Sequence, residues 1–220
     1  MDALNKIVDK KNIDTIFVDI DDTLYDYEYA HAKSIKYCYE HFKILYKEIN
    51  FNCFNQDYRN CRNLITSRFK NNGSSRSRIL ALQILFEDYE LKMAYMHAYK
   101  FENLYWKTLY KFMEPNKNLI ESLRAHKQNG IKICAISDMQ MRIQVEKLKN
   151  LKLNNVIDFL VTSEEVGIEK PAKKIFKHAL RKLSAEPSRT LMIGDSIKKD
   201  IDGALAMGIN TFHHKFKKND

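Results

Sequence analysis

The hydrophobic positions of this chain follow two rhythms. The short apolar run Ile16-Phe17-Val18 predicts a buried strand over about residues 15–19, with Lys11 and Asn12 leading into it. After Leu24 the spacing changes. Tyr29, Ala32, Ile35, Tyr37, Cys38, Phe42 and Leu45 recur near a helical period, as do Ile79, Leu82, Ile84, Leu85 and Phe86, and then Tyr95, Ala98, Tyr99, Phe101 and Tyr105. The only glycine of this stretch, Gly73, lies in the polar loop Lys70-Asn71-Asn72-Gly73-Ser74-Ser75 and divides it into two helical halves. Its aromatic load, Trp106 and many tyrosines, reads as the core of a helical bundle.

From Pro115 onward strands and helices alternate. Pro115 opens a helix with an apolar face of Leu119, Ile120 and Leu123, and Gly130 stops it. A buried strand follows over 131–136, then a helix over 141–151 carrying Val145, Leu148 and Leu151, and a short strand over 159–162. Lys170-Pro171 breaks the chain before a helix over 175–183. A strand over 190–193, a helix over about 200–207 and a last strand near 211–213 complete the pattern. Such alternation predicts an α/β fold, a parallel sheet with helices on both faces.

Composition narrows the function classes. No apolar stretch is long enough to span a bilayer, and the first residues lack the charged start and apolar run of a secretory signal, so the expectation is a cytoplasmic protein with no membrane partner. Cys38, Cys53, Cys61 and Cys134 show no CxxC pairing, which argues against a zinc site or a disulfide framework and reads as buried free thiols. The formal charge of +9, from 37 basic and 28 acidic residues, is spread along the chain and clusters only in the tail Lys215-Phe216-Lys217-Lys218. No nucleic-acid partner is expected, although the charge is compatible with anionic substrates.

The chemistry lies at the carboxyl ends of the strands, where ligands bind in open α/β sheets. Asp19 and Asp21 follow the first strand, Ser137 the second, Lys170 the third, and Asp195 and Asp200 the fourth. Unpaired carboxylates would cost several kcal/mol to bury, so they must meet solvent, a cation or one another. Acids that hold a hard cation through oxygen, beside an ammonium and hydroxyls that offset phosphate charge, make up a divalent-metal phosphoryl-transfer site.

The set Asp19-Ile20-Asp21-Asp22-Thr23-Leu24, Ser137, Lys170-Pro171 and Gly194-Asp195-Ser196 through Asp200 resembles the four motifs of the haloacid dehalogenase superfamily. Ser163-Glu164-Glu165-Val166-Gly167 and Asp200-Ile201-Asp202-Gly203-Ala204 are similar to its connecting segments. The resemblance implies a Rossmann-like α/β core over residues 1–24 and 113–220, with an inserted all-helical cap over 25–112. It implies Asp19 as nucleophile and Asp21 as general acid and base, in surroundings that keep Asp21 protonated when substrate binds. Magnesium would sit on Asp19, the Asp21 carbonyl and Asp195, with Asp200 close by. Thr23, Ser137 and Lys170 would bind the phosphate. The expected activity is a magnesium-dependent phosphatase acting on a small phosphorylated metabolite (a nucleotide, sugar phosphate or phospho-acid), as a monomer or homodimer.

Dehalogenation of a 2-halo acid is the alternative reaction, and Asp21 argues against it, since halide displacement needs neither a general acid nor a metal. A non-catalytic binding module is the other alternative, and the retained charges in one crevice argue against it. Asp22 reads as a turn residue, Asp138 as a helix-start residue, and His213 with His214 as a chain end. Arg76 and Arg78 are candidates for meeting an anionic substrate, although arginines at a helix start are usually solvated. The insertion is expected to act as a lid over the crevice.

Overall fold

The computed structural model describes residues 2–70 and 73–216. Met1, Asn71, Asn72 and residues 217–220, which include Lys217 and Lys218 of the basic tail, lie outside the described residues. The chain forms two compact units, Met1–Asp26 with Glu114–Asp220, and Tyr27–Met113.

The first unit begins with α1 (Asp2–Lys10), an element the sequence reading left out although Leu4, Ile7 and Val8 fall at helical spacing, with Leu4 and Val8 buried. Then come β1 (Thr15–Val18) and, after the helical unit of α2 (Tyr27–Leu45), α3 (Phe51–Arg68), α4 (Arg78–Asp88) and α5 (Ala94–Lys111), the remaining elements of the core. These are α6 (Lys117–Gln128), β2 (Lys132–Ser137), α7 (Met141–Asn150), β3 (Phe159–Thr162), α8 (Ser163–Val166), α9 (Lys173–Leu183), β4 (Thr190–Gly194), α10 (Gly203–Leu205) and β5 (Asn210–His213).

The five strands pair in the order β3-β2-β1-β4-β5, and every pairing is parallel. All four residues of β1 are buried. Phe17 packs on one face with Cys134, Ile136, Met192 and the α9 residues Phe176 and Leu180. Ile16 and Val18 point the opposite way by the two-residue period of a strand and are equally buried, so both faces of the sheet are covered. The chain runs outward from β1 through β2 to β3, then returns to lay β4 on the other side of β1. The order therefore reverses between β1 and β4, the position that opens a crevice at the carboxyl ends of the strands.

Three predicted elements differ in detail. Helix α6 is capped by Asn116, whose side chain accepts from the Leu119 N–H, and Pro115 lies outside it, bridged to Tyr25. That bridge, the bond from Asp26 N–H to Glu114 O at 3.2 Å and the bond from Asn116 N–H to Leu24 O at 2.8 Å tie together the two core segments from which the insertion leaves and to which it returns. On α7 the buried positions are Gln144, Lys147 and Leu148, while Val145, read as part of the apolar face, is 41% exposed. The expected helix after β4 is a π-helical turn, Ile197–Asp202, running into the short α10.

The helical unit is held by a chain of aromatic contacts. Phe42 stacks on Phe86 with ring centroids 5.4 Å apart and meets Phe54 and Phe101, and Tyr58, Tyr105 and Trp106 are buried. Gly73 opens a 3-10 turn, Gly73–Arg76, between α3 and α4. Arg78 departs from the solvated reading. It is only 4% exposed, donates to the Tyr27 hydroxyl at 2.5 Å, and lies 4.6 and 4.3 Å from the ring centroids of Tyr105 and Trp106. Cys38, Cys61 and Cys134 are buried free thiols as expected, whereas Cys53 is exposed, because it occupies the solvent side of the first turn of α3. No helix among the described residues is long and apolar enough to cross a membrane.

Candidate active site at the carboxyl ends of the strands

Asp19 is the first residue beyond β1, and its N–H continues the sheet by donating to Ile193 O at 2.9 Å. The backbone is thus locked where its carboxylate enters the crevice between β1 and β4. Lys170 reaches the same point from the loop after α8. Its ammonium donates to Asp19 Oδ1 at 2.5 Å, Asp200 Oδ1 at 2.7 Å and Ile136 O at 3.0 Å. The lysine is itself placed by Asp138, whose Oδ1 accepts from the Lys170 N–H at 2.7 Å and whose Oδ2 pairs with Lys199 at 2.8 Å. Asp138, read as a helix-start residue, therefore holds the lysine loop.

Asp200 approaches because the residue beneath it is Gly194. A Cβ there would stand 2.4 Å from Asp200 Oδ2. The same oxygen, Oδ2, accepts from the Ser196 N–H at 3.1 Å. Carboxylate oxygens of Asp19, Asp195 and Asp200 all lie within 4.8 Å of one another. Thr23, fully buried, donates to Asp195 Oδ1 at 3.5 Å, and its own carbonyl accepts from Asn116 Nδ2 at 3.2 Å. His213, assigned to the chain end, meets Asp195 O through Nε2 at 2.8 Å.

Electrostatics describe a site short of positive charge. Burial pushes Asp19 well above the usual carboxylate range, and Asp200 and Asp21 push it further while Lys170 opposes them. Burial likewise raises Asp195, with Asp200 adding to it. Burial lowers Lys170, but Asp19, Asp200 and Asp138 outweigh it and hold the ammonium charged. Three carboxylates against one ammonium leave a net negative pocket of hard oxygen donors, which fits a divalent cation.

The family model of haloacid dehalogenase-like hydrolases matches residues 13–208. The chain belongs to that family. It is 27% identical over 196 residues to a ribulose-1,5-bisphosphate 5-phosphatase of Halopiger xanaduensis, covering 89% of this chain and 82% of the relative. It is 30% identical over 202 residues to a glyceraldehyde 3-phosphate phosphatase of Methanothermobacter thermautotrophicus, with the same coverage. Among solved structures, a 2-haloacid dehalogenase from Pseudomonas syringae pv. Tomato DC3000 superposes with a TM-score of 0.74 over 94% of this chain and 90% of the other, at 19% identity, which speaks to the fold.

Of the residues singled out in the sequence of this hydrolase, the crevice brings together Asp19, Lys170, Asp195, Asp200 and Thr23. Asp21 and Ser137 are joined to each other by a residue the sequence reading passed over. Gln144 Nε2 donates to Ser137 Oγ at 2.5 Å and to Asp21 Oδ2 at 3.3 Å. Lys147 Nζ lies 2.6 and 2.9 Å from the two Asp21 oxygens, and the Tyr25 hydroxyl donates to Oδ1 at 2.5 Å. The expectation of a protonated Asp21 concerns the substrate-bound site; in the free protein the surroundings favour its ionised form. Burial pushes its acid up, but the Lys147 charge and the bonds from Lys147, Tyr25 and Gln144 prevail and hold it below the usual range. The available signal was the spacing of Gln144 and Lys147, three apart on α7, on the side of the helix that carries Leu148 and Leu151.

Proposed function

We propose that this hydrolase is a magnesium-dependent phosphatase of small phosphate monoesters that works through an aspartyl-phosphate on Asp19. The observation that carries the reading is the buried ammonium of Lys170 bridging Asp19 and Asp200 beside Asp195. It is an arrangement suited to receiving a phosphate together with a divalent cation. The two relatives named as phosphatases of small phosphorylated sugars support the same substrate class.

Asp19 Oδ attacks phosphorus while the bond to the leaving oxygen breaks, and that oxygen takes a proton from Asp21, whose carboxylate, ionised beside Lys147 in the free protein, acquires it from the incoming monoester monoanion. Asp21, now a carboxylate, takes a proton from the water that attacks the aspartyl-phosphate, which releases inorganic phosphate and restores Asp19. Lys170, Thr23 and Ser137 hold the phosphate oxygens in both steps. Asp19, Asp195 and Asp200, with the Asp21 carbonyl, are the residues that would hold magnesium, which supplies charge neutralisation and orientation of the phosphate when bound. Selection among phosphate monoesters is assigned to the helical unit.

The test is phosphate release by the purified protein from a panel of sugar phosphates, nucleoside monophosphates and phospho-acids, with magnesium and with excess chelator. Release that requires magnesium supports the reading. Absence of release from every member, or halide release from 2-halo acids undisturbed by chelator, overturns it.

A further inference from the structure

The harness around Asp21 is unlike ordinary packing. Lys147 is 1% exposed on a helix face where a leucine would fill the space, and burying an ammonium costs several kcal/mol unless a partner compensates it. Its partner is Asp21, gripped by both oxygens, with the Tyr25 ring 5.9 Å from the ammonium and the Tyr25 hydroxyl on the same carboxylate. A carboxylate on a loop beyond a strand is otherwise free to turn about both side-chain torsions. Here Lys147, Tyr25 and Gln144 define one orientation, and Gln144 ties that orientation to the Ser137 hydroxyl.

We propose that Lys147 is a positioning residue for Asp21, setting where this carboxylate presents a proton to the leaving oxygen and receives one from water. The inference rests on the reading of Asp21 as acid and base. The role assigned to Lys147 is exerted through Asp21, whose two oxygens it grips, and includes no contact with the phosphate. Its effect must therefore vanish once Asp21 can no longer transfer a proton, and must be larger for a leaving group that needs one.

The experiment is a double-mutant cycle on the magnesium-loaded protein with two probes: phenyl phosphate, whose leaving group depends strongly on protonation, and p-nitrophenyl phosphate, whose leaving group depends on it little. Lys147→Met is expected to lower kcat on phenyl phosphate about tenfold or more with KM changed less than about twofold, since misplacing a catalytic group by about an ångström carries losses of that order. The loss on p-nitrophenyl phosphate is expected to be smaller. In an Asp21→Asn background, Lys147→Met is expected to change turnover less than about twofold. Tyr25→Phe, which removes one hydroxyl and no charge, should show a weaker form of the same leaving-group dependence, and it reads the harness even if Lys147→Met folds poorly. Equal losses on both probes in Lys147→Met and Tyr25→Phe, or a Lys147→Met loss that multiplies with that of Asp21→Asn, would overturn the positioning role while leaving the phosphatase reading intact. Wild-type turnover of phenyl phosphate by Asp21→Asn would instead overturn the acid–base assignment itself.

Discussion

Gly194 and Asp200 are in contact so close that no side chain fits between them: a Cβ on Gly194 would lie 2.4 Å from Asp200 Oδ2 and 2.6 Å from its Cβ. Because the nearest atoms include the root of the Asp200 side chain, rotation alone does not relieve the clash. Gly194→Ala is therefore expected to cost about 1–3 kcal/mol in stability and to move Asp200 away from Lys170. Denaturant midpoints should fall and kcat should drop about tenfold or more. Unchanged values for both would show that the turn after β4 yields freely.

Asp19→Asn keeps the shape of the side chain and removes the attacking charge. Turnover is expected to fall about a thousandfold or more, with an unaltered circular dichroism spectrum and no aspartyl-phosphate trapped after rapid acid quench.

Asp195→Asn removes one of three clustered carboxylates, and this residue is only half-buried. The magnesium concentration giving half-maximal activity is expected to rise about tenfold or more, with maximal turnover recovered in part at high magnesium. Titration of activity against magnesium in both proteins checks this. An unshifted midpoint would remove Asp195 from the ligand set.

The helical unit carries its own pH response. Burial pushes the His31 imidazole down to about 3, with Arg78, Arg62 and Arg59 adding to it. An unfolded chain protonates this group near its ordinary value of about 6.5, so between about 6.5 and 3 the unfolded state binds the extra proton. Stability is thus highest above about pH 6.5 and declines as pH falls toward 3, by at most about 1.4 kcal/mol per pH unit from this residue. His31→Gln should flatten that decline between about pH 6.5 and 4. Trp106 is the only tryptophan of the chain and belongs to the helical unit, so urea unfolding followed by its fluorescence measures the effect locally.

Much of the core was legible because its signals are local. A short apolar run followed at once by Asp19, Ser137 or Asp195 marks both a strand and the end where chemistry sits, and the structure places these residues there. What the sequence concealed depends on distant partners. Lys147 looks like a surface lysine until its counter-ion, 126 residues earlier, is known. Meanwhile Val145 looks like core and is exposed because α7 turns its polar pair inward. Arg78 was hidden in the same way, since Tyr27, 51 residues before it, and the rings of Tyr105 and Trp106 are what make its burial tolerable. Helix α1 was passed over although Leu4, Ile7 and Val8 recur at helical spacing.

The stitching of Tyr25 to Pro115, with Asp26 bound to Glu114 and Leu24 to Asn116, gives the insertion a closed neck that belongs to the core. Everything distal to that neck is, topologically, a detour whose two ends are already joined, so closure entropy is met by core bonds and not by the inserted helices. The core is in this sense a socket. Other sequences of quite different length could be spliced at residues 27 and 113 without asking β1 and β2 to find each other anew. The same neck presents Tyr25 to Asp21, so an exchange of the insert that keeps this knot leaves the bond between them in place.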